Sequence, residues 1–347
     1  MDRPHSPEQI APDGVASETS SHRGDGRFRN PWPNATPPTF RDVIAWRRTR
    51  TAAPRPQPVL PAPVPSGIAH PRAEPGTLSA TWVGHSTVLL QVGALNVLTD
   101  PMWSDRASPV QWAGPKRRTK PGLALDALPP IDVVLLSHNH YDHLDGHTVR
   151  TLVRRHPSAR WFAPLGVTRN VRQWGARAVH EMDWWNAADA DGIRVACTPA
   201  QHASGRTPFD RMRTLWCGWT LRAGPHAIYF AGDTAYHPEF SEIARRYGPF
   251  NLCLLPIGAY EPRWFMRPVH VNPEEAVRAY SDLAAAHPRH APPVALAVHW
   301  GAFSLADEPM DEPPRRATAA WASMGLDPDQ LWILSLGETR RVSPNDS

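Results

Sequence analysis

From Ser79 onward the chain falls into short apolar runs separated by glycine, proline and polar residues. Runs at 80–83, 87–92 and 95–99 are rich in Val, Leu and Thr and predict three successive strands joined by short glycine-containing links. A fourth strand is predicted at 132–136, where Val133, Val134, Leu135 and Leu136 are all apolar, the pattern of a strand buried on both faces. A helix at 147–156 and a strand at 161–163 follow. Further strands are expected at 193–198, 215–221, 227–231, 252–256, 294–298 and 331–336, with a helix at 238–247. Asn272-Pro273-Glu274-Glu275 is a helix start, with Asn as N-cap, Pro in the first turn and acids at the positive end of the dipole. That helix runs to about Ala286. Strands interleaved with helices in this way predict a layered α/β domain with the sheets inside.

Residues 1–76 have a different texture. They hold 15 of the 40 prolines and few periodic apolar positions. Residues 54–75 are close to a proline-alanine linker, expected to be extended. The chain is therefore read as a proline-rich N-terminal segment, 1–76, and a folded domain, 77–347, that carries whatever chemistry the chain performs. Within the first, Phe28 and Trp32 beside prolines and a short helix at 40–48 mark a patch, about 28–48, that docks on the body. Net charge is +4, with no basic run of nucleic-acid type, so nucleic acid is not an expected partner. Cys197, Cys217 and Cys253 have neither zinc-finger nor redox spacing, which fits a reducing compartment. No signal-type or membrane-spanning run is present, so the expected location is the cytoplasm or the cytoplasmic face of a membrane.

Chemistry enters at the end of the fourth strand. Ser137-His138-Asn139-His140-Tyr141-Asp142-His143 packs three imidazoles and a carboxylate into six positions, and these are the side chains that zinc and similar divalent ions prefer. Later predicted strands end in the same manner, at His202, at Gly232-Asp233 and at His299. Taken singly each is weak. Together they make seven candidate ligands: His138, His140, Asp142, His143, His202, Asp233 and His299. That number serves two zinc ions if one carboxylate is shared and each ion keeps a place for solvent.

The order His-x-His-x-Asp-His, then His, Gly-Asp and a C-terminal His, resembles the metallo-β-lactamase superfamily. Longer strings narrow the resemblance: Thr81 to Thr87 (TWVGHST), Asp100-Pro101, Arg106 to Pro109, Gly114 to Arg117, Phe230 to Thr234, Pro256 to Met266 (PIGAYEPRWFM) and Asn30 to Pro33. They look like the N-acyl-phosphatidylethanolamine-hydrolysing phospholipase D family, in a bacterial-looking member. The resemblance implies a four-layer αββα sandwich with two zinc ions in the cleft between the sheets. It assigns His138, His140 and His202 to one ion and Asp142, His143 and His299 to the other, with Asp233 bridging. It implies hydrolysis of N-acyl-phosphatidylethanolamine or a related glycerophospholipid, by a hydroxide held between the metals, to phosphatidic acid and N-acylethanolamine. Asp142, Asp233 and His270 are the expected catalytic residues. Asp100 is expected to orient ligands. Tyr141, Tyr260, Trp264, Lys116 and Arg117 are expected to meet substrate. Peripheral membrane contact and a homodimer follow by the same analogy. Two other classes remain open: hydrolysis of a small soluble ester, lactone or cyclic phosphodiester, and a non-catalytic, metal-stabilised lipid-binding protein.

Overall fold

The structure is a computed structural model that describes residues 22–33, 35–49, 63–64, 68, 71–190 and 192–342. Two seven-stranded sheets form its centre. The first contains β3 (Leu78–Gly84), β4 (Thr87–Val92), β5 (Leu95–Thr99), β6 (Val133–Leu135), β7 (Arg160–Pro164) and β8 (Val179–Met182), with the C-terminal β16 (Thr339–Arg341) beside β3. The second contains β9 (Ala187–Ala190), β10 (Ile193–Thr198), β11 (Gly218–Ala223), β12 (His226–Phe230), β13 (Leu252–Pro256), β14 (Val294–Val298) and β15 (Leu331–Trp332), in that order. A small hairpin, β1 (Arg23–Gly24) and β2 (Arg27–Phe28), precedes both.

Each sheet is antiparallel in its first strands and parallel in its last. In the first sheet the change comes at β5–β6, and in the second at β12–β13. The parallel-paired strands β6, β13 and β14 are buried at every residue. Alternation then sorts side chains between layers. Val88, Leu90 and Val92 of β4 face the second sheet, and Leu89 faces away. Ile228 and Phe230 of β12 face the first sheet, and Ala227 and Tyr229 face away. The outer face of the first sheet is covered by α2 (Gly146–Arg155) and α3 (Thr168–Gln173), through Val149, Leu152 and Val171. The outer face of the second is covered by α4 (Phe240–Tyr247), α6 (Pro273–Ala285) and α7 (Glu312–Ser323), through Ile243, Tyr280 and Trp321. Two short helices lie outside these layers, α1 (Phe40–Thr49) and α5 (Arg263–Met266), and Trp46 of one stacks on Phe265 of the other at 4.9 Å. The result is the αββα sandwich.

One expected strand is displaced. The run 215–221 begins its pairing only at Gly218. The reason is that Leu215 and Cys217 give their N–H groups to Leu165 and Ser137, at the ends of first-sheet strands. That short stretch ties the two sheets together at one end. Among the described residues, no helix is long and apolar enough to cross a membrane.

Candidate metal centre

The imidazoles and carboxylates converge because each follows the end of a strand at the same rim of the sandwich. Asp100 follows β5, the His138–His143 stretch follows β6, His202 follows β10, Asp233 follows β12 and His299 follows β14. His85 enters from the β3–β4 turn, and His270 from the loop before α6. Carboxyl ends of parallel strands are the usual place for sites in such sheets. The turn into Asp233 accepts only glycine: a Cβ on Gly232, at φ 62°, would lie 2.7 Å from both Cys217 O and Ser137 Cβ. A Cβ on Gly258 would lie 2.2 Å from His299 O, so the 256–262 loop rests directly on the main chain of His299. His85, Asp100 and His299 all hold left-handed backbone, at φ 57°, 29° and 60°, a strain that clusters at functional sites.

Two groups of side chains result. The ligand atoms of His138, His140 and His202 lie within 4.8 Å of one another, and so do those of His85, Asp142, His143 and His299. Asp233 stands between them. Its Oδ2 is 3.1 Å from His143 Nε2 and 3.0 Å from His299 Nε2. The same atom is 3.7 Å from His202 Nε2 and 3.9 Å from His138 Nε2. Asp142 Oδ2 lies 2.9 Å from His85 Nε2 and 3.2 Å from His143 Nε2.

Asp100, fully buried, sets the orientation of two rings. Its Oδ2 is 2.7 Å from His143 Nδ1, and it accepts from Ser137 Oγ at 2.5 Å, while Ser137 Oγ lies 2.9 Å from His138 Nδ1. His202 is held through Nδ1, 2.8 Å from Val269 O. In each case the outer nitrogen is engaged and Nε2 is left facing the cluster. This is how a protein presents imidazole to a metal.

Electrostatics point the same way. Burial, with neighbouring imidazoles, pushes His138 well below the ordinary value and His140 down to about 3, and burial also lowers His202. His85 falls to about 3, chiefly through burial. These rings are neutral and keep a lone pair at neutral pH. Burial opposes charge on His143 and His299 as well, but Asp233 and Asp142 override it, raising His143 well above its ordinary range and His299 to about 9. Burial likewise works against charge on Asp142 and Asp233, and the facing His143 overcomes it, so both fall well below the carboxylate range. The pocket thus demands positive charge. It also leaves His143 Nε2, His299 Nε2 and Asp233 Oδ1 buried without a hydrogen-bond partner among the described residues. Orphaned buried polar atoms are costly, and a divalent cation satisfies both deficits at once. The cluster is compatible with metal binding.

All seven expected ligands come together here, and Asp100 stands behind them. His270 sits at the mouth, partly exposed, with its ring centroid 4.9 Å from that of His202 and 5.3 Å from that of His299. Tyr141 lies at the edge, its ring beneath the Arg206 guanidinium at 3.8 Å and its hydroxyl bonded to Arg206 O. The remaining expected substrate contacts are not in the cluster. Arg117 is buried and donates to Met102 O and Ser104 O, which spends its guanidinium on fixing a loop. Tyr260 is fully buried, with its hydroxyl on Glu312. Lys116 is exposed, and Trp264 is 55% exposed beside Phe265. His85 was missed. Its signal was the glycine before it and the turn it makes between two apolar strands, which reads as ordinary hairpin chemistry.

Comparison with known proteins agrees with this geometry. Residues 95–300, more than half of the chain, match the family model described as a Beta-lactamase superfamily domain. The chain is 42% identical over 339 residues to an uncharacterised protein of Mycobacterium tuberculosis, covering 95% of this chain and 86% of the relative. It is 39% identical over 238 residues to N-acyl-phosphatidylethanolamine-hydrolyzing phospholipase D 1 of Caenorhabditis elegans, covering 66% of this chain and 65% of that protein. The solved structure of Igni18, a metallo hydrolase from Ignicoccus hospitalis, superposes with a TM-score of 0.57 at 22% identity, over 77% of this chain and 99% of that one. That likeness concerns the fold. The chain belongs to the metallo-β-lactamase superfamily, and its relatives there include N-acyl-phosphatidylethanolamine-hydrolysing phospholipases D.

Proposed function

We propose that the protein is a dinuclear metal-dependent phosphodiesterase that cleaves N-acyl-phosphatidylethanolamine, or a related glycerophospholipid, to phosphatidic acid and N-acylethanolamine. The observation that carries the dinuclear reading is the place of Asp233, whose Oδ2 approaches the Nε2 atoms of His138 and His202 on one side and of His143 and His299 on the other. His138, His140 and His202 would hold one ion and Asp142, His143 and His299 the other, with Asp233 shared. Zinc suits this set of imidazoles and carboxylates. Two such ions supply an activated water near neutral pH and neutralise the charge of a phosphodiester.

The chain's own residues do the rest. Asp100 keeps a proton on His143 Nδ1, so that Nε2 stays a donor of electrons. Only the edge of the His270 ring reaches the mouth; burial of the rest outweighs the pull of Asp233 and, with His202 and His299, drives it well below its ordinary value, so it meets substrate as a neutral ring. A neutral ring still carries one N–H, and at the mouth of the cluster that hydrogen can be given to a phosphoryl or leaving-group oxygen. The lipid substrate is supported by the likeness to the Caenorhabditis elegans phospholipase, 39% identical over 238 residues.

The test is a paired measurement on purified protein. Elemental analysis should find two ions per chain. Mass spectrometry should detect N-acylethanolamine release from N-acyl-phosphatidylethanolamine in mixed micelles. Turnover of small esters, lactones or cyclic phosphodiesters with none of the lipid would overturn the lipid reading while leaving a hydrolase. Binding of one ion or none would overturn the dinuclear reading.

A further inference from the structure

The main chain that carries His202 is braced at each polar atom from the carbonyl of Ala200 to that of His202. Trp216 Nε1 donates to Ala200 O at 2.8 Å. Gln201 N donates to Thr234 Oγ1, and Gln201 O accepts from Ala235 N. The last two groups, His202 N–H and C=O, are taken by a single side chain 172 residues earlier, Asn30. His202 N donates to Asn30 Oδ1 at 3.2 Å, and Asn30 Nδ2 donates to His202 O at 2.9 Å. Asn30 Nδ2 also donates to Ala35 O at 2.8 Å, and Asn30 Oδ1 also accepts from Trp216 Nε1 at 3.2 Å. The two donors meet two carbonyls and the one acceptor meets two N–H groups, so only this orientation of the amide fits.

The strand of chain around Asn30 is pinned independently on both sides. His22, buried, lies 2.8 Å from Asp183 Oδ1 and against Trp184 at 4.5 Å. Phe28 N donates to Met212 O. Trp32 stacks on His237 at 4.7 Å and on Trp184 at 5.9 Å. Residues 22–32 therefore form a strap that is bonded, through Asn30, to the backbone of a cluster histidine.

We infer that Asn30 is a positioning residue for His202, and that the N-terminal strap is a working part of the metal site. The inference rests on the reading of His202 as a ligand. Its physical basis is that His202 is 2% exposed, so without Asn30 its N–H and C=O lose their partners where water does not readily replace them. The loop must then move to find new ones, and the imidazole moves with it.

The test uses Asn30→Asp, which keeps the shape, removes both N–H donors and sets a carboxylate against two carbonyls. Asn30→Ala removes the contacts without adding charge. Trp32→Ala loosens the strap without touching His202. Zinc affinity is read by competition with a chelator, cobalt(II) coordination by visible absorption, and folding by circular dichroism. The expected result is a loss of about 10–100-fold in affinity for one ion in both Asn30 variants, with a changed cobalt spectrum and the second ion retained. Trp32→Ala should bind both ions nearly as the unaltered protein does. Unchanged affinity in the Asn30 variants overturns the inference, and an equal loss in Trp32→Ala overturns the assignment to Asn30, because docking of the strap alone would then account for the effect. Unaltered protein that binds no ion at all would instead defeat the ligand reading beneath it.

Discussion

Asp100 and Asp142 are both buried carboxylates among imidazoles, yet substitution should separate them. Asp142 faces His85, His143 and His299, so Asp142→Asn removes a charge from inside the proposed site. It should lose one ion per chain and lower kcat/KM by at least about a hundredfold with the fold kept, as elemental analysis, turnover and circular dichroism would report. Asp100→Asn acts differently. The new amide oxygen can still accept from Ser137 N, which sets its N–H groups against Ser137 Oγ and His143 Nδ1. His143 must then accept there, and its proton moves to Nε2, the atom facing Asp233. Both ions should bind about 10–100-fold more weakly, read by chelator competition, and unchanged affinity would show that Asp100 does not set that tautomer. At this scale legibility followed chain proximity. Four ligands were visible because they fall within six residues, and that signal made His202, Asp233 and His299 worth pairing with it. His85 was hidden because one histidine in a hairpin turn has no local partner. Arg117 and Tyr260 were misread for the opposite reason: their strings are distinctive, but the side chains are spent on Met102 O, Ser104 O and Glu312 inside the protein.

At the scale of elements, α6 shows how an ordinary helix start serves the site. Asn272 accepts from Glu275 N at 2.8 Å, and Glu275 reaches back to Asn272 N, a complete capping box. Glu275 also pairs with Arg263 at 2.7 Å, and Arg263 donates to His270 O at 3.1 Å. Asn272→Ala removes a cap and should cost about 1 kcal/mol, seen as a Tm lower by about 2–4 °C with metal content unchanged. Glu275→Ala keeps the Asn272 cap but removes the reciprocal half of the box and frees Arg263, so it should lower turnover as well as Tm. Equal turnover in the two variants would show that the link from Arg263 to His270 has no part in catalysis. This helix was readable because its cap, proline and acids are contiguous. The fully buried strands β6, β13 and β14 were readable as unbroken apolar runs. Strands β8 and β9, at the edges of their sheets, were not: Val179-His180-Glu181-Met182 and Ala187-Ala188-Asp189-Ala190 have too little apolar contrast. Helix α7 was not legible because its start, Glu312-Pro313-Pro314, carries no capping side chain to mark it, although proline is tolerated in a first turn.

For the molecule as a whole, periodicity told which faces are buried but not which sheet a strand joins. The return of β16 to the first sheet, beside β3, has no signature in the residues it contains. That assembly matters because the candidate ligands are drawn from both sheets: Asp142 and His143 follow a first-sheet strand, while His202, Asp233 and His299 follow second-sheet strands. Bound ions would therefore clamp the two sheets at one rim. A ligand that binds only the folded state stabilises it by RT ln(1 + [L]/Kd), about 4 kcal/mol for one ion at a free concentration a thousandfold above Kd. Removing the ions with a chelator should lower Tm by several degrees, and restoring zinc should return it. The stripped protein should nevertheless stay folded. The core between the sheets, with Trp82, Phe162, Trp219 and Phe230, does not depend on the site. Within the site, protonated His143 and His299 can stand in for the missing positive charge beside Asp142 and Asp233. Calorimetry with and without chelator decides the matter. Complete unfolding on metal removal would mean that the ions, and not the apolar layers, hold the sheets together. An unchanged Tm with proven metal loss would mean that the clamp adds nothing to the fold.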